Sequence, residues 1–284
     1  MKTLKLALTA TAALATAAPA FAMHHAGTMG YALAEDGKTL VTMADIAAPG
    51  EVMTYDLEMP LRAIAYRPVT GQLLGYADGM IYEVDPMTGA LTDLGAMFMD
   101  DAMIGDGAVA FDFNNQIDAV RAVGADGANL VYFPDGFGDG DERANSVRRF
   151  TDTFYADGDM SEGAAPLIFA NAYTNAINGM TASSTAQYAI DARANALVKL
   201  ANNAGELASV GYLTIDGEAV DVVEWGGFDI VSPEEGTDHA FAILQLDGES
   251  TAGLYSVDLS TGALMIIGDL GMGGFTGFAA SKGM

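Results

Sequence analysis

The sequence contains no cysteine. That excludes disulfide staples, thiolate catalysis, iron–sulfur clusters and cysteine-ligated zinc, and leaves a packed core as the source of stability. Basic residues are scarce: 12 Lys and Arg stand against 38 Asp and Glu, a net charge of −26. Such a field repels phosphate backbones and anionic headgroups, which excludes nucleic acid and bare membrane as partners, and it attracts cations. Histidine is limited to His24, His25 and His239, and nothing around His239 reads as a nucleophile elbow. After the first 22 residues no stretch has the roughly 20 apolar residues of a spanning helix. Sustained helical periodicity is missing too. Residues 192–207 come closest, and Asn202 and Gly205 interrupt them.

What is present begins with a leader. Lys2 and Lys5 form a positive start, residues 6–18 an apolar, Ala-rich stretch, and Ala20-Phe21-Ala22 an A-x-A cleavage site. This order is that of a secretory signal peptide spanning 1–22. Cleavage leaves 10 basic against 38 acidic residues, a net charge of −28. Residues 23–27 are then expected to be a flexible N-terminus and 28–284 a single domain. The expected location is the periplasm or the outside medium of a Gram-negative bacterium. No cysteine follows the cleavage site, so no lipid anchor is expected.

Glycine is abundant at 34 residues, about 12% against a usual 7%. Short aromatic and β-branched runs lie between the glycines, a pattern of many short strands joined by tight turns. An internal repeat organises them. Tyr82-Glu83-Val84-Asp85, Tyr188-Ala189-Ile190-Asp191 and Tyr255-Ser256-Val257-Asp258 each lead, a few residues on, to Gly or Asn followed by Ala-Leu. A strand, a turn capped by the Asp side chain, a left-handed Gly or Asn and a return strand explain this pattern. Asp45 and Asp135 mark two weaker copies. Inner strand-like runs precede the copies at 63–66, 108–113, 168–173 and 227–231, and second runs at 72–76, 119–124, 179–183 and 240–246. Four strands per unit make a propeller blade. The first unit lacks its inner run, and residues 274–280 supply one. The expectation is an all-β, five-bladed β-propeller whose C-terminal strand completes the first blade. Six or seven blades and a β-sandwich are the rival architectures.

One ordered set of residues carries a resemblance. Phe111-Asp112-Phe113-Asn114 is followed by Asn129-Leu130, Pro134-Asp135-Gly136, Ala172-Tyr173-Thr174-Asn175, Asn203-Ala204-Gly205 and Val210-Gly211-Tyr212-Leu213. The set resembles the secreted bacterial family called domain of unknown function 4394, over residues 29–280. The resemblance implies export and the same fold, and it brings no activity. The chain departs from the family pattern where Asp118-Ala119-Val120-Arg121 follows the FDFN motif.

Chemistry is expected where inner strands and their loops meet the channel. Alternation puts Asp112 and Asn114 on one face of their strand, and Asn171, Tyr173 and Asn175 on one face of theirs. Asp229 and Arg67 occupy matching places. These seven side chains are the expected channel-mouth ligand set, and a ring of oxygens around Asp112 suits Ca²⁺, the candidate cofactor. The alternative is that they cap strand ends and satisfy backbone groups between blades. Asp139 with Asp141, and Asp157 with Asp159, have the spacing of calcium loops without a full EF-hand; mobile acidic loops are the alternative. Met23-His24-His25 at a freed N-terminus suits square-planar Cu²⁺, with Met97, Met99 and Met103 as soft ligands for Cu⁺. A frayed end and core methionines are the other reading. The expected function is that of an exported, monomeric, non-enzymatic module binding a small molecule, glycan or protein. A calcium-dependent ester or lactone hydrolase and a periplasmic copper binder are the alternatives.

Overall fold

The computed structural model describes residues 27–77 and 79–283, and in it five small sheets stand in a ring. Blade I holds β1 (Met29–Ala34), β2 (Thr39–Met43) and β3 (Val52–Asp56). Blade II holds β4 (Ala63–Arg67), β5 (Gln72–Ala77), β6 (Met80–Val84) and β7 (Leu91–Asp93). Blade III holds β8 (Met97–Phe98), β9 (Val109–Asn114), β10 (Ala119–Gly124), β11 (Asn129–Phe133) and β12 (Ser146–Arg149). Blade IV holds β13 (Phe154–Tyr155), β14 (Ile168–Tyr173), β15 (Gln187–Asp191), β16 (Ala196–Leu200) and β17 (Glu206–Tyr212). Blade V holds β18 (Thr214–Ile215), β19 (Glu218–Ala219), β20 (Val222–Glu234), β21 (Thr237–Leu246), β22 (Gly253–Val257) and β23 (Ala263–Asp269). The last strand, β24 (Gly277–Ser281), returns to blade I. There it pairs antiparallel with β1, Met29 opposite Ser281 and Leu33 opposite Gly277. The protein is a five-bladed β-propeller, closed as the repeat predicts.

The innermost strands are β24, β4, β9, β14 and β20, each packed on the next around the axis. The core is divided among the blade interfaces. Leu33, Leu40 and Ile64 fill the space between blades I and II. Tyr76, Phe111 and Val120 fill that between II and III. Ile168, Val198 and Val123 serve III and IV, and Phe169, Leu197 and Phe228 serve IV and V. Met43, Phe241 and Phe278 join V to I. Each such side chain contributes about 1.5–3 kcal/mol on burial, so neighbouring blades stabilise one another.

The repeated turn forms as its residues dictate. Asp85 Oδ1 accepts from Met87 N at 2.8 Å and Asp258 Oδ1 from Ser260 N at 2.8 Å. Gly89 and Gly262 then take φ of 73° and 81°. In blade IV the motif is offset. Asp191 ends the second strand rather than the third, and Asn195, at φ 47°, starts the return. For the same reason residues 179–183, expected to be the second strand of this blade, are loop: β14 pairs directly with β15. Residues 192–207 hold a single turn of 3-10 helix at Asn202–Ala204.

Three connecting segments also run along blade edges. β8, β13 and β18 pair in parallel with β12, β17 and β23 on the outside of blades III, IV and V. They cover edges that would otherwise expose unpaired backbone groups. No helix among the described residues is long and apolar enough to cross a membrane. The expected leader, the cleavage site and His24 and His25 lie outside the described residues.

Candidate functional site

Five inner strands run the same way around one axis, so the ring has two distinct ends. One end gathers the segments that enter the inner strands. The other gathers the hairpins that leave them.

At the first end a pocket of about 410 Å³ opens, lined by Asp36, Met59, Arg62, Asp106, Trp225 and Thr276 among others. Four blades build it. Arg62 precedes β4, and its Nη2 donates to Gly107 O at 2.9 Å and also to Gly105 O, which holds the connector that carries Asp106. Asp36 sits in the β1–β2 turn at φ 56°. Leu61 N donates to Gly37 O at 2.9 Å, which ties that turn to the start of blade II. Trp225 is aimed by a bulge: the β20–β21 register slips between Val222 and Gly226. Gly226, at φ 151°, lies so close to β21 that a Cβ would meet Ile243 O at 2.3 Å. A bulge with glycine re-aims the preceding side chain. Thr276 is buried, and its hydroxyl has no partner among the described residues.

Below the pocket the channel narrows to a cavity of about 10 Å³, lined by Ala63, Ala110, Gly227, Gly277 and Phe278 among others. That is room for roughly one water. Deeper lies a polar layer of Asp112 on β9, Asn171 on β14 and Asp229 on β20, each at most 5% exposed. Asp112 Oδ2 accepts from Tyr173 N at 2.7 Å. Asp229 Oδ1 accepts from Ile230 N and its Oδ2 from Ala280 N, both at 2.6 Å. Asn171 lines the narrow cavity, and neither of its amide atoms has a partner. Burial pushes the Asp112 carboxyl well above its usual range, and repulsion from Asp229 adds to it. Burial likewise pushes Asp229 up to about 7, against the opposing pull of its two backbone donors.

The remaining expected channel residues serve the second end and the III–IV interface. Arg67 Nε donates to Asp118 Oδ1 at 2.8 Å, and its Nη2 is ion-paired with the same carboxylate. Asn114 Oδ1 accepts from Gln116 N and from Thr185 Oγ1, both at 3.0 Å. The Tyr173 hydroxyl accepts from Arg121 Nε at 2.8 Å and lies 2.9 Å from Gln187 Oε1 and 2.8 Å from Asn202 Oδ1. Burial raises that phenol to about 12, with Arg121 opposing. Asn175 Nδ2 donates to Ser184 O at 2.8 Å and its Oδ1 accepts from Gly236 N at 2.7 Å.

Asn175 belongs to the loop 174–186, which crosses this end of the ring and is bonded to all four other blades. Gly179 N donates to Pro68 O in blade II at 2.9 Å. Fully buried Asn115 of blade III donates its Nδ2 to Asn175 O and Met180 O, at 2.7 and 3.1 Å. Ala176 N donates to Ser232 Oγ of blade V at 3.0 Å, and Asn178 Nδ2 to Gly283 O beside β24 at 2.5 Å. The loop plugs the channel.

The acidic loops are self-contained. Asp141 is ion-paired with Arg143 at 2.7 Å, a bond that lowers its carboxyl to about 2. Asp159 binds Ser209 through both oxygens, at 2.7 and 2.8 Å. Asp139 and Asp157 are exposed, and Asp157 lines a separate crevice between blades III and IV. Among the described residues no three His, Cys, Asp or Glu side chains converge as a metal cluster. Met97 and Met103 are exposed on the connector into blade III.

Sequence reasoning missed Arg62, Asp106 and Trp225. The available signal was that Trp225 is the single tryptophan, set before a glycine pair.

Solved structures with a similar arrangement include an auxiliary nutrient binding protein from Bacteroides ovatus at 13% identity and TM-score 0.42. That match covers 75% of this chain and 55% of the other, so this chain spans about half the length of that protein. A protein of unknown function from Bacteroides caccae matches at 9% identity and TM-score 0.41, over 89% of this chain and 98% of that one. A protein of unknown function from Bacteroides thetaiotaomicron matches at 12% identity and TM-score 0.46, over 75% and 55%. No curated protein matches the sequence. The family model described as a domain of unknown function, DUF4394, matches residues 40–279, and the chain belongs to that family.

Proposed function

We propose that this propeller is an exported, non-enzymatic binding module that takes a small molecule or a short glycan at the mouth lined by Trp225, Met59, Arg62 and Asp106. The observation that carries this reading is the pocket of about 410 Å³ at the open end of the axis, built by segments from four blades. Its size falls within the 300–1,000 Å³ of small-ligand sites. Its chemistry fits an amphipathic ligand: Trp225, Met59 and Pro60 offer an apolar face, and Asp36 and Asp106 offer polar points. Arg62 is committed to loop carbonyls and positions the rim rather than meeting a ligand with a free charge.

Because Trp225 is the only tryptophan, its emission reports on this pocket alone. A panel of neutral oligosaccharides and small amphipathic amines is titrated while fluorescence and thermal unfolding are followed. A true ligand shifts the emission and raises the midpoint by mass action. Replacement of the exposed Asp106→Lys weakens it at least tenfold. A compound that stabilises the fold with Trp225 emission unchanged and full affinity for Asp106→Lys overturns the mouth as the site.

A further inference from the structure

We infer that Asp112, Asn171 and Asp229 form an axial site for one hard cation of calcium's size, enclosed beneath the mouth. β9 and β20 carry the two carboxyls, and β14, which lies between them in the ring, carries Asn171. All three side chains are more than nine-tenths buried. The carboxyl oxygens receive only backbone N–H groups, from Tyr173, Ile230 and Ala280 among them. The guanidinium across the ladder from Asp112 does not bond to it. Arg121 stands opposite Asp112 in the β9–β10 ladder, yet donates to Tyr173 Oη, Asn129 Oδ1 and Asn203 Oδ1. On the other packed elements, β21 places Phe241 opposite Asp229, and β24 contributes Ala280. Two buried carboxyls are thus held by backbone N–H groups, and such groups need protons or a cation.

Asn171 selects the cation. Its carbonyl and its amide both lack a partner, although a buried amide ordinarily finds several. Asp112 and Asp229 lie near enough to repel one another, and Asn171 stands unbonded on the strand between theirs, an arrangement suited to an ion that bonds to all three. Four carboxylate oxygens, the amide oxygen and about one water in the small cavity would supply six ligands, the lower bound for Ca²⁺. The narrow Gly227–Gly277 passage above the layer makes exchange slow, so the ion enters during folding.

The test refolds the mature protein from guanidinium chloride in CaCl₂ or in EDTA, removes free metal by gel filtration, and measures bound calcium by mass spectrometry together with the unfolding midpoint. One Ca²⁺ per chain is expected, with a higher midpoint than the EDTA sample. The gain should be larger at pH 8 than at pH 5, because protons compete for the same oxygens. The double variant Asp112→Asn/Asp229→Asn should lose both the metal and the gain. Asn171→Ala, which leaves the carboxyls in place, should weaken retention at least tenfold. Equal midpoints with no retained metal would overturn the inference and leave protons as the balancing charge. Metal retained in full by the double variant would overturn it too, by placing the ion in the surface acidic loops.

Discussion

Replacing Asp229 by Asn should reverse part of the protein's response to pH. In the folded state Asp229 titrates at about 7, against 3.8 for a free aspartate. The unfolded chain therefore releases this proton first, and stability falls as pH rises from about 4 to 7. At 1.36 kcal/mol per unit, the shift corresponds to roughly 4 kcal/mol, an order-of-magnitude figure shared with Asp112. Asn removes that loss but creates a fixed defect. Asp229 accepts from both Ile230 N and Ala280 N, whereas an amide has one acceptor oxygen for the two donors. Leaving one donor unpaired costs about 1–3 kcal/mol at every pH. In urea melts with EDTA at half-unit steps from pH 5 to 8, the variant should be weaker than wild type at pH 5. The two curves should converge and cross toward pH 8. Parallel curves would refute the reasoning, because the background of surface carboxylates is common to both proteins and cancels in the difference.

Two further substitutions test closure and the plug. Phe278→Ala removes a buried ring of β24 at the V–I interface and should cost about 3–5 kcal/mol in urea unfolding; a loss under 1 kcal/mol would mean that the last strand does not hold the first blade. Asn115→Ala leaves the carbonyls of Asn175 and Met180 without their donor, a cost of about 1–3 kcal/mol. Hydrogen exchange should speed up across residues 174–186 while blade strands stay protected, and uniform acceleration would count against a separate plug.

The blades were legible because each copy repeats the same local chemistry: a strand, an Asp that bonds two residues ahead, and a left-handed Gly or Asn. The closing strand was legible because one unit had no inner run and the chain end had a spare one. Blade IV was misread because the motif around Asp191 marks any tight antiparallel turn, whichever strand pair it joins. The 13 residues that then had to span β14 to β15 took a strand's place in the sequence and became the plug. The mouth was hidden for a different reason. Alternation along a strand identifies a face, not an end, and Arg62 and Trp225 lie just before regular pairing settles, one of them in a bulge that breaks alternation. Asp112, Asn171 and Asp229 stand out in the sequence because they are polar residues within runs that otherwise build a core.

The loop across the far end makes the molecule a cup rather than a pipe. Nothing threads through it, and whatever enters must leave by the same opening. Arrival and departure of a ligand would then be governed by one rim, where Met59, Arg62, Asp106 and Trp225 meet. A substitution on that rim should change both rates, whereas one on the underside should reach the ligand only by loosening the base of the cup.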